Sequence, residues 1–225
     1  LTEEGGRRPL RVECWSGGPG TSMPGSFIDF TSAPGFSYWK SRVSASLVAE
    51  GAKGVWNDNN EFEGLQGGRE ADGGRVRPGR QAELMARASY EAMEEMGAEP
   101  FVVTRGGSPG VQKWAALTWT GDNMTSWEHL KWNTTQQLSL GLGGFPAVSS
   151  DIGGFAGGRP GEELLVRWCQ SAVLWSRFTI HSWNDDGSTT EPWTYPASTG
   201  RISRVIKERI SFCPHLYGLL KAAGG

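Results

Sequence analysis

Short apolar runs alternate with longer amphipathic segments along most of this chain. The short runs are rich in strand-forming residues: VW (55–56), FVV (101–103), ALTW (116–119), FPAV (145–148) and RFTI (177–180). The longer segments place apolar residues at helical spacing, at 37–50, 80–96, 126–142, 161–175 and 201–212. Because strands and helices follow each other in turn, the pattern predicts parallel βαβ units.

A polar or charged residue follows each predicted strand. These residues are Asp58, Arg105, Asp122, Asp151 and His181. A doubly wound sheet needs such endings only near its switch point, whereas all strand ends of a (β/α)₈ barrel meet at the face that carries the site. We therefore predict an α/β fold of the (β/α)₈ TIM-barrel type. Five strands make it incomplete, because a closed barrel has eight.

The whole chain, 1–225, is predicted to be one incomplete barrel domain, since no linker divides it. It begins with Leu1 rather than Met, and we expect a fragment that holds about the last five β/α units. The first 36 residues predict a loop, because glycine, proline and serine dominate their middle stretch, ECWSGGPGTSMPG.

Composition excludes several classes of protein. A net charge of −2 gives no bias toward nucleic acid or an anionic membrane, and no apolar run approaches the length of a membrane span. Three widely spaced cysteines fit neither a disulfide framework nor a CxxC zinc pair, which favours a reducing compartment such as the cytoplasm. The 33 glycines without a fixed period indicate long functional loops between the apolar segments.

The residues at the strand ends suggest sugar chemistry. Two carboxylates brought to one pocket, Asp58 and Asp122, are the minimum equipment for glycoside hydrolysis, and Asp151 supplies a third acid. Arg105 and His181 add hydrogen-bond donors. Flat apolar faces for sugar C–H groups come from three tryptophans, Trp56, Trp119 and Trp183.

Two other interpretations of these residues stay open at this point. An aspartate at a strand end is often a turn or N-cap residue, and a single histidine is often structural. A divalent metal held by Asp58, Glu61 and Asp151 is also compatible with the oxygen ligands. The strands lack paired histidines and a DxDxDG loop, so no metal site is predicted.

Several motifs in one order resemble glycoside hydrolase family 31, the α-glucosidase family. WNDNNE (56–61) is similar to the family's W-x-D-M-N-E signature, and DFTSAPGFSYW (29–39) resembles the D-F-T-N-P segment before it. TRGGSPGVQKWAALTWTGDN (104–123) resembles the family's arginine-to-acid segment. SSDIGGF (149–155), RWCQ (167–170) and IHSW (180–183) then follow in family order.

The resemblance implies a role for each matching residue. Asp58 is similar to the catalytic nucleophile and Asp122 to the general acid and base of a retaining mechanism. The pocket for the terminal sugar is implied to contain Trp56, Arg105, Trp119, Asp151 and His181. The family acts from the end of α-linked, gluco-configured oligosaccharides, needs no cofactor, and carries an N-terminal β-sandwich and C-terminal β-domains that are not present in this chain.

This chain departs from the family pattern at two positions. Asn59 stands where the family has Met, and Thr179 stands where the family has Arg, with Arg177 at a different offset. The linkage preference therefore stays open. Two alternatives to an exo-α-glucosidase also stay open, namely an α-glucosyltransferase that uses the same two aspartates and a noncatalytic sugar-binding module.

Overall fold

The computed structural model describes residues 1–6, 8–16 and 20–224, and divides them into two compact units. The first unit ends at Ala116 and the second begins at Leu117. Each unit consists mainly of short parallel strands and the helices that follow them.

The first unit begins with an antiparallel pair, β1 (Val12–Trp15) and β2 (Ser22–Gly25). The helix α1 (Ala33–Val43) follows and continues as a turn of π-helix, Ser44–Val48. Our prediction of a loop over the first 36 residues is therefore wrong. Glycine and proline are frequent in this segment, as in many loops, but β1 and β2 nevertheless form a small sheet. Pro34 lies in the first turn of α1, where its missing N–H is not needed.

Two parallel strands form the centre of the first unit. β3 (Val55–Asn57) pairs with β4 (Val102–Thr104), in the register Val55 to Val102 and Asn57 to Thr104. Between them lies α2 (Pro78–Glu95), and a short 3₁₀ turn, Val111–Lys113, follows β4. One face of α2 is buried and rich in alanine and methionine, including Ala86, Ala92 and Met93. These small and flexible side chains let the helix pack closely.

The second unit repeats the same arrangement. β5 (Leu117–Trp119) pairs in parallel with β6 (Val148–Ser149), and α3 (Trp127–Leu142) connects them. The helix α4 (Glu162–Ser171) is followed by a 3₁₀ turn, Ala172–Leu174, and the last helix is α5 (Pro196–Gly224). Ile152, Leu165, Trp168 and Ile202 are fully buried and form the centre of this unit's core.

Four of the five predicted strands are present, each within a few residues of its predicted position. The fifth, RFTI (177–180), is not a strand, because only Ile180 makes a parallel bridge, with Ile152. The predicted helices are all present, although α5 is longer at both ends than predicted. The predicted parallel β/α units are thus confirmed in both halves of the chain. In the described part of the chain, no helix is both long and apolar enough to cross a membrane.

Candidate active site

Asp58 follows β3 directly, and its carboxylate is open to solvent on one side. The side chain is 49% exposed. Oδ1 accepts hydrogen bonds from the backbone N–H of Asn59 at 2.8 Å and from Nη1 of Arg105 at 3.1 Å. One oxygen is therefore fixed by two donors while the carboxylate as a whole can still meet a ligand.

The chain turns sharply after Asp58. Asn59 has φ +51°, in the left-handed region that asparagine tolerates better than most residues. Its side-chain amide also donates to Oδ2 of Asp58, at 3.3 Å. Phe62, with φ +54°, is buried against the rings of Phe27 and Phe30. The polar residues after β3 thus form a tight loop whose far end is anchored in the core.

Arg105, predicted to line the sugar pocket, lies against the carboxylate of Asp58. Its Nε donates to Oε1 of Glu61 at 2.5 Å, while its Nη1 bonds to Asp58. The sequence suggested Glu61 only as a metal ligand, and its pairing with Arg105 was not predicted. The sequence signal for it is the position of Glu61 three residues after Asp58, in the same loop.

Alternation along β3 separates two kinds of side chain. Val55 and Asn57 are buried on one face, and Trp56, on the other, is 42% exposed. Asn57 accepts a hydrogen bond from Ser89 in α2, and Ser89 accepts one from Trp39 in α1. These bonds fix β3 to both helices directly before Asp58, on the face of the strand opposite Trp56.

Asp122 lies in the turn after β5, in the second unit, and is exposed. Gly121, with φ +79°, makes this turn possible because a side chain is disfavoured in that conformation. The turn is held by Thr120, which donates to the buried Asn133 of α3 at 2.8 Å, and by Asn123, whose carbonyl accepts from Phe155 and Ala156. Asp122 is thus exposed on a well-supported turn.

Asp151 lies two residues after the end of β6 and is completely buried. Its Oδ1 accepts a hydrogen bond from Nη2 of Arg177 at 2.9 Å, whereas its Oδ2 has no hydrogen-bond partner among the described residues. Burial raises the pKa of Asp151, Arg177 and His181 oppose the rise, and Asp122 adds to it.

Arg177 was not among the predicted site residues. Its offset from the family's arginine was visible in the sequence, but only the structure gives it a partner. The side chain is 11% exposed, and burial lowers its pKa while Asp151 opposes that change. Arg177 therefore supplies the positive charge that the buried carboxylate of Asp151 requires.

The remaining predicted residues of the second unit differ in exposure. Trp119, in β5, is buried, so it contributes at most an edge to an open surface. His181 is exposed and its ring lies 5.2 Å from that of Phe155. Trp183 is 40% exposed, and its backbone N–H donates to the carbonyl of Phe155 at 2.7 Å. Phe155, in the SSDIGGF segment, thus contacts the loop that carries His181 and Trp183 at both of these residues.

The predicted site residues divide between the two units. Trp56, Asp58 and Arg105 belong to the first, and Trp119, Asp122, Asp151 and His181 to the second. Within each unit an aspartate is paired with an arginine. Asp58 and Glu61 share Arg105, and Asp151 has Arg177, so the three carboxylates compatible with a metal have arginine partners. The described residues contain no group of three or more side chains suited to a metal ion.

Comparison with known proteins identifies the family of this chain. Residues 3–219 match the model of the glycosyl hydrolases family 31 TIM-barrel domain. Alpha-glucosidase 2 of Bacillus thermoamyloliquefaciens is 33% identical over 94% of this chain, which covers 27% of that protein. The first curated relatives are all matched over about a quarter of their length.

Solved structures agree with the family model. The α subunit of glucosidase II, in its Tris-bound form, superimposes with a TM-score of 0.84 and 27% identity, over 99% of this chain and 25% of that one. A family 31 α-glucosidase from Bacteroides thetaiotaomicron gives a TM-score of 0.80 and 28% identity, over 100% of this chain and 37% of that one. The predicted TIM-barrel fold and the family resemblance are both confirmed, and this chain belongs to glycosyl hydrolase family 31.

Proposed function

We propose that this chain forms part of the catalytic barrel of a retaining exo-α-glucosidase. Asp58 carries the proposal, because its carboxylate is half exposed at the carboxyl end of β3 while two donors fix one of its oxygens. A nucleophile must be both reachable and oriented. The family membership and the relatives named as α-glucosidases support the same chemistry.

In the first step, a carboxylate oxygen of Asp58 attacks the anomeric carbon of the terminal α-linked glucose. Asp122 gives its proton to the departing glycosidic oxygen, and a β-linked glucosyl ester of Asp58 forms. In the second step, Asp122 takes a proton from water, which attacks the same carbon and releases α-glucose. No cofactor takes part in either step. The exposure of Asp122, on the glycine turn after β5, supports both proton transfers.

The remaining residues are proposed to hold the terminal sugar. Trp56 offers a flat face that is 42% exposed, and His181 offers a donor at an exposed position. Arg105 contributes through Asp58, and the buried Trp119 contributes an edge of the wall. Asp151 is covered by protein, so its proposed role is to support the pocket through Arg177.

Two variants of the full-length protein test these roles. Asp58→Ala should abolish turnover of both maltose and nitrophenyl α-glucoside, because every substrate needs the nucleophile. Asp122→Ala should lose about 10²- to 10⁴-fold on maltose and far less on the aryl glucoside, whose leaving group hardly needs a proton. Asp72→Ala, at an exposed aspartate that pairs with Arg77, is the matched control and should keep both rates.

Azide and product analysis complete the test. Azide should rescue Asp122→Ala and give α-glucosyl azide, because Asp58 has already inverted the sugar once. Equal losses on both substrates, or a β-azide product, would show that the roles are misassigned. Incubation with maltose, isomaltose and nigerose, followed by NMR, separates hydrolysis from transfer. Longer oligosaccharides as the main products would make the protein an α-glucosyltransferase.

A distance measurement gives an independent check of the mechanism. In a crystal structure of the full-length protein, a retaining pair should place the carboxyl groups of Asp58 and Asp122 about 5 to 5.5 Å apart. An inverting pair would be about 6.5 to 9.5 Å apart, with room for a water molecule. A separation in that longer range would contradict the double-displacement mechanism.

A further inference from the structure

We propose that Glu61 is a positioning residue, which holds Arg105 so that Arg105 binds Oδ1 of Asp58 and leaves Oδ2 to the sugar. The proposal rests on the proposed function, because it assumes that Asp58 is the nucleophile. It concerns only residues of the first unit. Three features of that unit support it: the two-ended binding of Arg105, the backbone clamp around it, and the unequal bonding of the two Asp58 oxygens.

The guanidinium group of Arg105 is bound at two different edges. Nε donates to Oε1 of Glu61 at 2.5 Å, and Nη1 donates to Oδ1 of Asp58 at 3.1 Å. Glu61 is 30% exposed and Arg105 21%, so both are partly accessible to water. Because the guanidinium is planar and its donors have fixed directions, a bond at Nε determines where Nη1 points.

The backbones that carry Glu61 and Arg105 are held together by Asn60. This buried side chain donates to Oγ1 of Thr104 at 2.9 Å and accepts from the N–H of Gly106 at 2.6 Å. Thr104 and Gly106 are the neighbours of Arg105, and Asn60 is the neighbour of Glu61. A Cβ on Gly106 would lie 2.4 Å from the carbonyl oxygen of Asn60, so this close approach requires glycine.

The two oxygens of Asp58 are bonded unequally as a result. Oδ1 accepts from both Arg105 and the backbone of Asn59, whereas Oδ2 accepts the longer bond from the side chain of Asn59, at 3.3 Å. The less engaged oxygen keeps more of its electron density for attack, so Oδ2 is assigned as the nucleophilic atom. Loss of Glu61 would remove the restraint that it places on Nε and shift Nη1 relative to Oδ1.

Loss of this restraint should slow the chemical step rather than weaken substrate binding. Misplacement of a reacting group by about 1 Å can lower a rate by about 10²-fold. In the full-length protein we expect Glu61→Ala to lower kcat by about 10- to 100-fold, with maltose and nitrophenyl α-glucoside affected equally. Equal loss is expected because the position of the nucleophile matters whatever the leaving group. KM should change little.

Four further variants make the test specific. Glu61→Gln keeps an acceptor for Nε and should recover most of the lost rate. Arg105→Met combined with Glu61→Ala should be no slower than Arg105→Met alone, because Glu61 acts only through Arg105. Glu63→Ala, at an exposed glutamate two residues further on, is the matched control and should keep the wild-type rate.

The outcomes separate this proposal from the proposed function. Wild-type kcat in Glu61→Ala, or losses that multiply in the double variant, would overturn the positioning role. A loss that follows a fall in thermal unfolding midpoint and is not recovered in Glu61→Gln would also overturn it, since the effect would then be structural. Activity in Asp58→Ala would instead overturn the proposed function itself. If Glu61→Ala does not fold, the kcat of Glu61→Gln is compared with those of wild type and Arg105→Met. A value close to wild type supports the positioning role, and a value as low as that of Arg105→Met would overturn it.

Discussion

The two compact units each contain an aspartate–arginine pair, and the two pairs differ in burial rather than in geometry. Asp58 and Arg105 are joined at 3.1 Å in the first unit, and Asp151 and Arg177 at 2.9 Å in the second. The Asp58 side chain is 49% exposed, but that of Asp151 only 1%. The same two residue types, in each case with the aspartate close to the end of a parallel strand, are therefore placed in very different surroundings.

This difference decides what each pair can do. Water reaches Asp58 and screens its charge, so the pair adds little stability, and the carboxylate stays accessible for chemistry. Asp151 is shielded from bulk water, and one of its oxygens has no hydrogen-bond partner among the described residues, so its charge depends on Arg177. We infer that the exposed pair serves reactivity and that the buried pair serves the structure of the site.

The largest expected effect comes from breaking the buried pair. Arg177→Met should lower the free energy of unfolding by about 3–5 kcal/mol, because it leaves the charge of Asp151 buried and unpaired. The double variant Asp151→Asn with Arg177→Met should recover much of this loss, since it contains no buried charge. Urea unfolding of the full-length protein measures both. A single variant as stable as wild type would show that the charge of Asp151 does not depend on Arg177.

The pH dependence of stability is expected to have opposite signs at two aspartates. Burial raises the pKa of Asp151, so the folded state binds the proton more tightly than the unfolded state. The contribution of Asp151 to stability should therefore be fully present below about pH 3.9, the usual pKa of an aspartate. It should be lost as the pH rises from there through the higher pKa of the folded state.

Asp29 is expected to show the opposite pH dependence of stability. Burial alone would raise its pKa, but hydrogen bonds from Thr31 and Gln81 hold the pKa below the usual value. Its contribution should be present above about pH 3.9 and lost as the pH falls through the folded pKa. Unfolding free energies of wild type, Asp151→Asn and Asp29→Asn, measured from about pH 3 to about pH 7, test both signs. The same sign at both positions would contradict the assignment.

A smaller effect is expected from the backbone beside the exposed pair. Asn59 has φ +51°, so Asn59→Ala should destabilise the protein by about 1 kcal/mol, while Asn59→Gly should be close to neutral. Both variants remove the side-chain bond to Asp58, and the comparison therefore isolates the backbone strain. Urea midpoints of the two variants measure the difference. Equal stabilities would mean that the left-handed conformation is not retained in solution.

The smallest effect on stability is expected from breaking the exposed pair. Arg105→Met should change the free energy of unfolding by less than about 1 kcal/mol, because the pair is screened by solvent. The same variant should nevertheless lower kcat/KM at least about tenfold, since Arg105 orients Asp58. Urea unfolding and steady-state kinetics on one preparation of Arg105→Met measure the free energy of unfolding and kcat/KM. A loss of stability as large as that of Arg177→Met would remove the distinction between the two pairs.

The sequence predicted the regular elements more reliably than the irregular ones. The run VW (55–56) lies in a strand and 80–96 coincides closely with α2, because apolar spacing directly reports which face is buried. At 177–180 the residues favour a strand, yet only Ile180 is bridged, since Arg177 turns toward Asp151 instead. At the N-terminus, glycine and proline suggested a loop where β1 and β2 pair.

The sequence by itself determined the family and the alternation of strands and helices, and it predicted which residues to propose for chemistry. Those features are local: they depend on residue type, spacing and motif order, which the chain carries without being folded. The tertiary structure alone decided that Arg105 lies between Asp58 and Glu61, that Arg177 pairs with Asp151, and that Asp58 is open to water while Asp151 is not. Partners and burial depend on residues 26 to 47 positions apart in the chain, and no local pattern encodes which of them meet.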